Sequence, residues 1–209
     1  MDSLGLSVES ISKKFGRKVV LDEVSIHVDR SEIVGLLGRD GAGKTVTFYS
    51  ILGLLRLNSG QIFLDGADIT DLSLDRRALR GLGYLPQESS IFRGLTVEQN
   101  ILTVLELFEP DPDLRATMLD DLLNEFHIEY VRHVPARALS GGERRRCEIA
   151  RAMAANPTIM LFDEPFAGID PLSVRDIKTM IANLESHDVG ILMTDQNVRE
   201  MIGLLDRVY

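Results

Sequence analysis

A largely parallel α/β sheet interrupted by a helical segment is the fold class that this 209-residue sequence predicts. Three observations predict it. The short apolar runs 159–162 and 190–194 read as parallel strands buried on both faces. Helical patterns alternate with such runs. A glycine-rich loop, Gly38 to Thr45, follows one apolar run and opens a helical pattern.

The elements follow in order. Residues 6–11 and 24–28 alternate as half-buried strands, and 32–37 runs apolar into the glycine loop. A helix is expected from about residue 43 through 54. Asn58-Ser59-Gly60 is a turn, 61–64 is a strand leaving through Asp65-Gly66, and 83–85 is a short buried strand stopped by Pro86. Thr96 caps a helix running to about Leu107, and Leu114, Met118, Leu122 and Phe126 mark the face of another. Pro110, Pro112 and Pro135 break this stretch. Asp170-Pro171 starts a helix whose core stripe is Val174, Ile177, Ile181 and Leu184. The expected division is an α/β core, 1–94 and 156–209, around a helical subdomain, 95–155.

Composition narrows the function. The length suits one domain. A net charge of −9 argues against a protein that coats nucleic acid. The lone Cys147 cannot form an internal disulfide and reads as a buried or partly buried thiol. Met1-Asp2-Ser3-Leu4-Gly5 lacks the basic start and apolar core of a signal peptide. No apolar run approaches the ~20 residues that span a bilayer, so membrane contact is expected only through a partner.

The chemistry sits in a few motifs. Gly38-Arg39-Asp40-Gly41-Ala42-Gly43-Lys44-Thr45 fits the phosphate-loop pattern. Its glycines let backbone N–H groups approach a phosphate at a helix N-terminus. Lys44 is expected to reach the β- and γ-phosphates, and Thr45 to offer its hydroxyl to Mg²⁺. Asp163 and Glu164 follow the 159–162 run, so their carboxylates emerge where ligands sit in open α/β sheets. There Asp163 would hold Mg²⁺ through water and Glu164 would polarise the attacking water. Ser140-Gly141-Gly142-Glu143 is a capping box whose bare glycines leave a helix N-terminus open to phosphate. Gln87, after Pro86, reads by itself as a surface-loop residue, though its carbonyl oxygen can ligate Mg²⁺ or the attacking water. The run Arg144-Arg145-Arg146 by itself reads as a solvated face.

In this order, the motifs resemble those of the ATP-binding cassette (ABC) ATPases, across essentially the whole chain. The resemblance implies a RecA-like, mostly parallel core with an antiparallel β part and a helical subdomain. Gly38–Thr45 becomes the Walker A loop, extended to Val46; Asp163 and Glu164 become the Walker B pair; Leu139 to Glu143 become the signature. Gln87 becomes the Q-loop residue and Gly168-Ile169-Asp170 the D-loop. Phe15 falls where an aromatic stacks on adenine. ATP and Mg²⁺ are the implied cofactors. The implied assembly is a head-to-tail homodimer formed on ATP binding, each ATP lying between one Walker A and the other copy's Ser140, Gly141 and Gly142. Further stretches, Tyr84 to Glu88, Ser90 to Arg93 and Asn197 to Glu200 among them, are similar to the cassettes that power lipopolysaccharide export. Cassettes of branched-chain amino-acid importers are the nearest alternative. Permease subunits would contact the region around Phe92, on the cytoplasmic face of a bacterial inner membrane, unless Phe92 is a core aromatic.

Three departures matter. Gln196 stands where the family carries a switch histidine, so slowed hydrolysis with retained ATP binding is expected. Arg39-Asp40 replaces Pro-Asn, and Val46 replaces a frequent second Thr. Family members continue past residue 209, and Arg207-Val208-Tyr209 reads as a strand just begun; its loss would leave an unpaired sheet edge. An ATP-binding assembly or regulatory module with negligible hydrolysis is the reading from another functional class. Soluble cassettes of translation or chromosome maintenance do not fit a single compact cassette.

Overall fold

The computed structural model describes residues 4–209. Met1, Asp2 and Ser3, where the signal-peptide reading begins, lie outside the described residues. In chain order the first elements are β1 (Gly5–Phe15), β2 (Lys18–Asp29), β3 (Ile33–Gly35), α1 (Lys44–Ile51), β4 (Ser59–Leu64), β5 (Ala67–Asp68), α2 (Leu74–Ala78) and β6 (Leu82–Leu85). They are followed by α3 (Val97–Phe108), α4 (Pro112–Glu125), α5 (Gly141–Met153), β7 (Ile159–Asp163), α6 (Pro171–Leu184), β8 (Gly190–Thr194), α7 (Val198–Met201) and β9 (Arg207–Val208).

Two sheets form. One is antiparallel in the order β2-β1-β4-β5; the other is parallel in the order β6-β7-β8-β3-β9. The fold is thus mixed α/β, as expected. Side chains alternate across the parallel sheet and divide it between two cores. Val34, Ile159, Leu161 and Leu192 pack with Leu6, Val8, Phe48 and Ile51 beneath the antiparallel sheet. Ile33, Met160, Phe162, Ile191 and Met193 pack on the other side with residues of α3, α4, α5 and α6. Because β3, β6, β7 and β8 are parallel, their C-terminal ends share one edge. The glycine loop, Gln87, Glu164 and Gln196 all follow those ends.

Several expectations are corrected. β1 and β2 run well past 6–11 and 24–28, because register shifts after Val8 and Ile11 reset the two-residue alternation. The first helix ends at Ile51, not 54: Gly53 turns left-handed at φ 75° and its N–H donates to the Ser50 carbonyl. Pro112 opens α4 rather than breaking it, behind Asp111, whose carboxylate accepts from the Asp113 and Leu114 N–H groups. On α4 the buried pair is Leu119 and Leu123, while Leu114 is exposed. Thr96 caps α3 as expected, with Gln99 completing the box. Arg207 and Val208 do form a strand, parallel to β3. Cys147 is fully buried, and burial pushes its thiol up to about 12, out of reach of thiolate chemistry near neutral pH.

Candidate active site

The glycine loop connects β3 to α1. Gly43 caps α1 at φ 103° with no side-chain hydrogen bond, so the first N–H groups of the helix have no side-chain acceptor. A side chain at Gly43 would strain that φ and press on Val20 and Leu21 at 3.0–3.1 Å. That contact lays the β1–β2 hairpin against the loop. Phe15 ends β1 in the hairpin, paired with Lys18 and half exposed, with Lys13 Nζ 5.3 Å from its ring centroid. Lys44 Nζ donates to the Gly38 carbonyl at 2.7 Å and the Arg39 carbonyl at 3.3 Å.

The carboxylates lie at the end of β7. Asp163 is 5% exposed. Burial, and then the neighbouring Glu164, push its carboxyl above the ordinary value, against the opposing charge of Lys44. Among the described residues, the side-chain hydrogen bond it receives is a long one, from Tyr84 Oη at 3.5 Å. In register on β8, the buried Thr194 hydroxyl has no partner among the described residues. A buried carboxylate so thinly satisfied fits a bound divalent cation. It also carries a stability cost. Its raised folded pKa means that folding is favoured below the ordinary carboxyl pKa and loses that contribution as pH rises through the folded value. Asp163→Asn is therefore expected to raise the melting temperature of the nucleotide-free chain near pH 7, by about 2–4 °C per kcal/mol relieved. A scanning calorimetry trace with no increase would contradict this account.

Glu164 is held on both sides. Its Oε2 accepts from Gln87 Nε2 at 2.8 Å and its Oε1 from Gln196 Nε2 at 3.1 Å. Its backbone is left-handed at φ 47°, a conformation that costs a non-glycine residue about 1–3 kcal/mol. Its N–H donates to the Thr194 carbonyl at 2.8 Å, which anchors the turn. The structure thus brings Gln87, Asp163, Glu164 and Gln196 together, with Lys44 near enough to act on Asp163. A cavity of about 400 Å³ opens beside them, lined by Glu164, Phe166, Ile169, Gln196 and Glu200.

Ser140, Gly141 and Gly142 begin α5. Ser140 Oγ accepts from the Glu143 N–H at 3.3 Å, and Glu143 Oε2 accepts from the Ser140 N–H at 2.8 Å. A side chain at Gly142 would collide with Ser173 Oγ at 2.4 Å, so α5 and α6 meet here only because Cβ is absent. Among the described residues, the side-chain hydrogen bonds of Ser140 stay within its own capping box. A cleft of about 150 Å³ separates Gly141 from Gln87.

Sequence reasoning missed the residue that joins these parts. Arg145, expected on a solvated face, is 5% exposed. Its guanidinium donates to the carbonyls of Pro165 at 3.0 Å, Pro86 at 2.9 Å and Glu164 at 3.2 Å, and pairs with Glu148 at 3.2 Å. Glu148 in turn accepts from Ser89 Oγ at 2.6 Å and the Ser90 N–H at 3.1 Å. The i, i+3 spacing of Arg145 and Glu148 was the available signal. Phe92 is not a core aromatic: it is 53% exposed, with the Arg151 guanidinium 5.1 Å from its ring centroid. The buried Asn100 fixes its loop, accepting from the Phe92 N–H at 2.9 Å and donating to the Phe92 carbonyl at 3.1 Å.

A family model described as "ABC transporter" matches residues 21–167. The chain belongs to that family. This cassette is 55% identical over 204 residues to a probable ABC transporter ATP-binding protein of Azorhizobium caulinodans, covering 98% of this chain and 73% of the relative. It is 51% identical to the lipopolysaccharide export system ATP-binding protein LptB of Haemophilus influenzae, and 48% identical to that of Escherichia coli K12. Each comparison covers 98% of the cassette and 85% of the relative. Among solved structures, the ADP conformation of an ATP-binding cassette of an ABC transporter superposes with a TM-score of 0.87 at 26% identity, covering 98% of this chain and 86% of that one. The cassette cbiO1 from Clostridium perfringens shares the fold with a TM-score of 0.89 at 23% identity, over 99% and 84% of the two chains. Cassettes of this family bind nucleotide, hydrolyse ATP, dimerise and work with membrane permeases. No helix of the described residues is long and apolar enough to cross a membrane.

Proposed function

We propose that this cassette hydrolyses Mg-ATP to drive lipopolysaccharide export, as a homodimer docked on permease subunits at the inner face of a bacterial inner membrane. The observation that carries the hydrolytic part is the Glu164 carboxylate, held by Gln87 and Gln196 beside the phosphate loop. Residues 38–46 cradle the phosphates, with Lys44 leaving its loop carbonyls for the β- and γ-phosphates. Phe15 stacks on the base. Glu164 takes the proton of the attacking water. Thr45, Asp163 and Gln87 would hold Mg²⁺, which when bound would neutralise charge on the phosphate oxygens. With its Nε2 donated to Glu164, Gln87 has Oε1 left for the cation. Ser140, Gly141 and Gly142 face the second copy's ATP, which suits their distance from the Glu164 cluster in this one. Residues 95–155 act as the helical part that carries this stretch.

Gln196 donates to Glu164 as a neutral amide, without the charge of a protonated imidazole. Gln196→His is expected to raise turnover at least about tenfold, a fraction of what one well-placed donor contributes. Phosphate release from Mg-ATP by the purified chain, beside Gln196→His and Glu164→Gln, tests the reading. Turnover abolished by Glu164→Gln supports a transport ATPase. Turnover only after Gln196→His favours the second reading, an ATP-binding assembly module. The substrate part rests on the 48–51% identity to LptB proteins. Copurification with an export permease pair supports it, and copurification with an amino-acid permease overturns it.

A further inference from the structure

The loop that carries Gln196 leads into α7. The helix has four residues and no side-chain cap at Asn197. Met201 is buried beneath it, while Val198 and Ile202 are exposed. Asp195 ties the loop to the strand end: its Oδ2 accepts from the Phe166 N–H at 3.2 Å and its Oδ1 from the Asn197 N–H at 2.8 Å. A second tie is Lys178, on α6. Its ammonium pairs with Glu200 of α7 and also lies 5.9 Å from the centroid of the Phe166 ring. Phe166 is two residues beyond Glu164. One cation therefore contacts both segments whose side chains meet in the Gln196–Glu164 hydrogen bond.

We propose that Lys178 is a positioning residue for hydrolysis: through Glu200 and Phe166 it sets Gln196 against Glu164. This rests on the proposed hydrolytic roles of those two residues. Lys178 itself touches neither. The argument is geometric. A neutral amide holds a carboxylate only while distance and angle are right, and the hydrogen bond weakens steeply when they are not. Asp195 fixes the start of the loop; among the described residues, Lys178–Glu200 is the ion pair that reaches α7, a helix of only four residues. The pair is partly exposed, 26% at Lys178 and 37% at Glu200, so it adds little to global stability. A change in turnover on breaking it therefore reports position and not unfolding. α6 begins directly after the 168–170 turn, so Lys178 also links that turn to the Gln196 loop.

The test uses the full chain with Mg-ATP, comparing Lys178→Met, Lys178→Arg, and the exchanged pair Lys178→Glu with Glu200→Lys. Turnover is read beside amide hydrogen exchange of residues 195–202. Lys178→Met should lower kcat about tenfold or more, with KM changed by less than about twofold, because nucleotide-binding groups are untouched. It should speed exchange in 195–202 and leave 159–163 unchanged. Lys178→Arg and the exchanged pair should each restore most of the loss. An unchanged kcat in Lys178→Met overturns the proposal, as does an exchanged pair no better than the single change. If the unmodified chain shows no turnover even with Gln196→His, the hydrolytic reading fails. The exchange data then decide alone, and unchanged exchange in 195–202 overturns the positioning role.

Discussion

Glu164→Gln lowers ATP turnover by about 10²–10⁴-fold and leaves nucleotide affinity near that of the unmodified chain. The proposed base loses its ability to take a proton, while the side chain keeps its length. The neighbouring groups make this substitution informative. Both carboxylate oxygens accept amide hydrogens, from Gln87 and from Gln196. A glutamine at 164 offers one oxygen and one NH₂, so one flanking amide must turn over to keep two hydrogen bonds. The turn at φ 47° is anchored by the backbone bond to Thr194, which the substitution does not touch. Binding is therefore expected to survive and hydrolysis to fail. Single-turnover phosphate release, with nucleotide affinity measured in parallel, checks both halves. Turnover that persists within about tenfold would remove Glu164 from the role of base.

Arg145→Met destabilises the chain by about 3–5 kcal/mol, because it leaves the Glu148 carboxylate buried without its cation. At about 2–4 °C per kcal/mol, the melting temperature falls by roughly 6–20 °C. Three carbonyls, of Pro86, Glu164 and Pro165, lose their donor as well. Changing Glu148→Leu in the same chain removes the stranded charge and should recover part of the loss. Recovery is incomplete, because Ser89 and the Ser90 N–H then lose their acceptor. Thermal unfolding of the single and double variants measures both effects. A single change that costs nothing would mean that this guanidinium does not hold the three segments together.

Much of the site was legible because its signals are local. The loop 38–45 carries its own glycines, lysine and threonine between a strand and a helix. The Ser140–Glu143 box closes on itself. The run 159–163 alternates between two cores and needs no distant information to be read as a buried parallel strand. Arg145 and Lys178 were not legible. Arg145 has its i, i+3 spacing to Glu148, but solvated pairs share that spacing, and the decisive partners are distant in sequence: Pro86, Glu164 and Pro165 for one, and Glu200 and the Phe166 ring for the other. Which face of α5 turns inward depends on where β6 and β7 end.

The sequence by itself determined the family and the main strands and helices, and it nominated the side chains proposed to meet phosphate and cation, because backbone preference and motif chemistry act over a few residues; the short β5, α2 and α7 were not read from it. Only the tertiary structure decided that Gln87 and Gln196 share one carboxylate, that Asp163 is buried with little to satisfy it, and that one arginine of a charged run lies inside. Those outcomes depend on four parallel strands ending at one edge. That alignment brings together residues as far apart in the sequence as Lys44 and Gln196, and no local pattern encodes the distances between them.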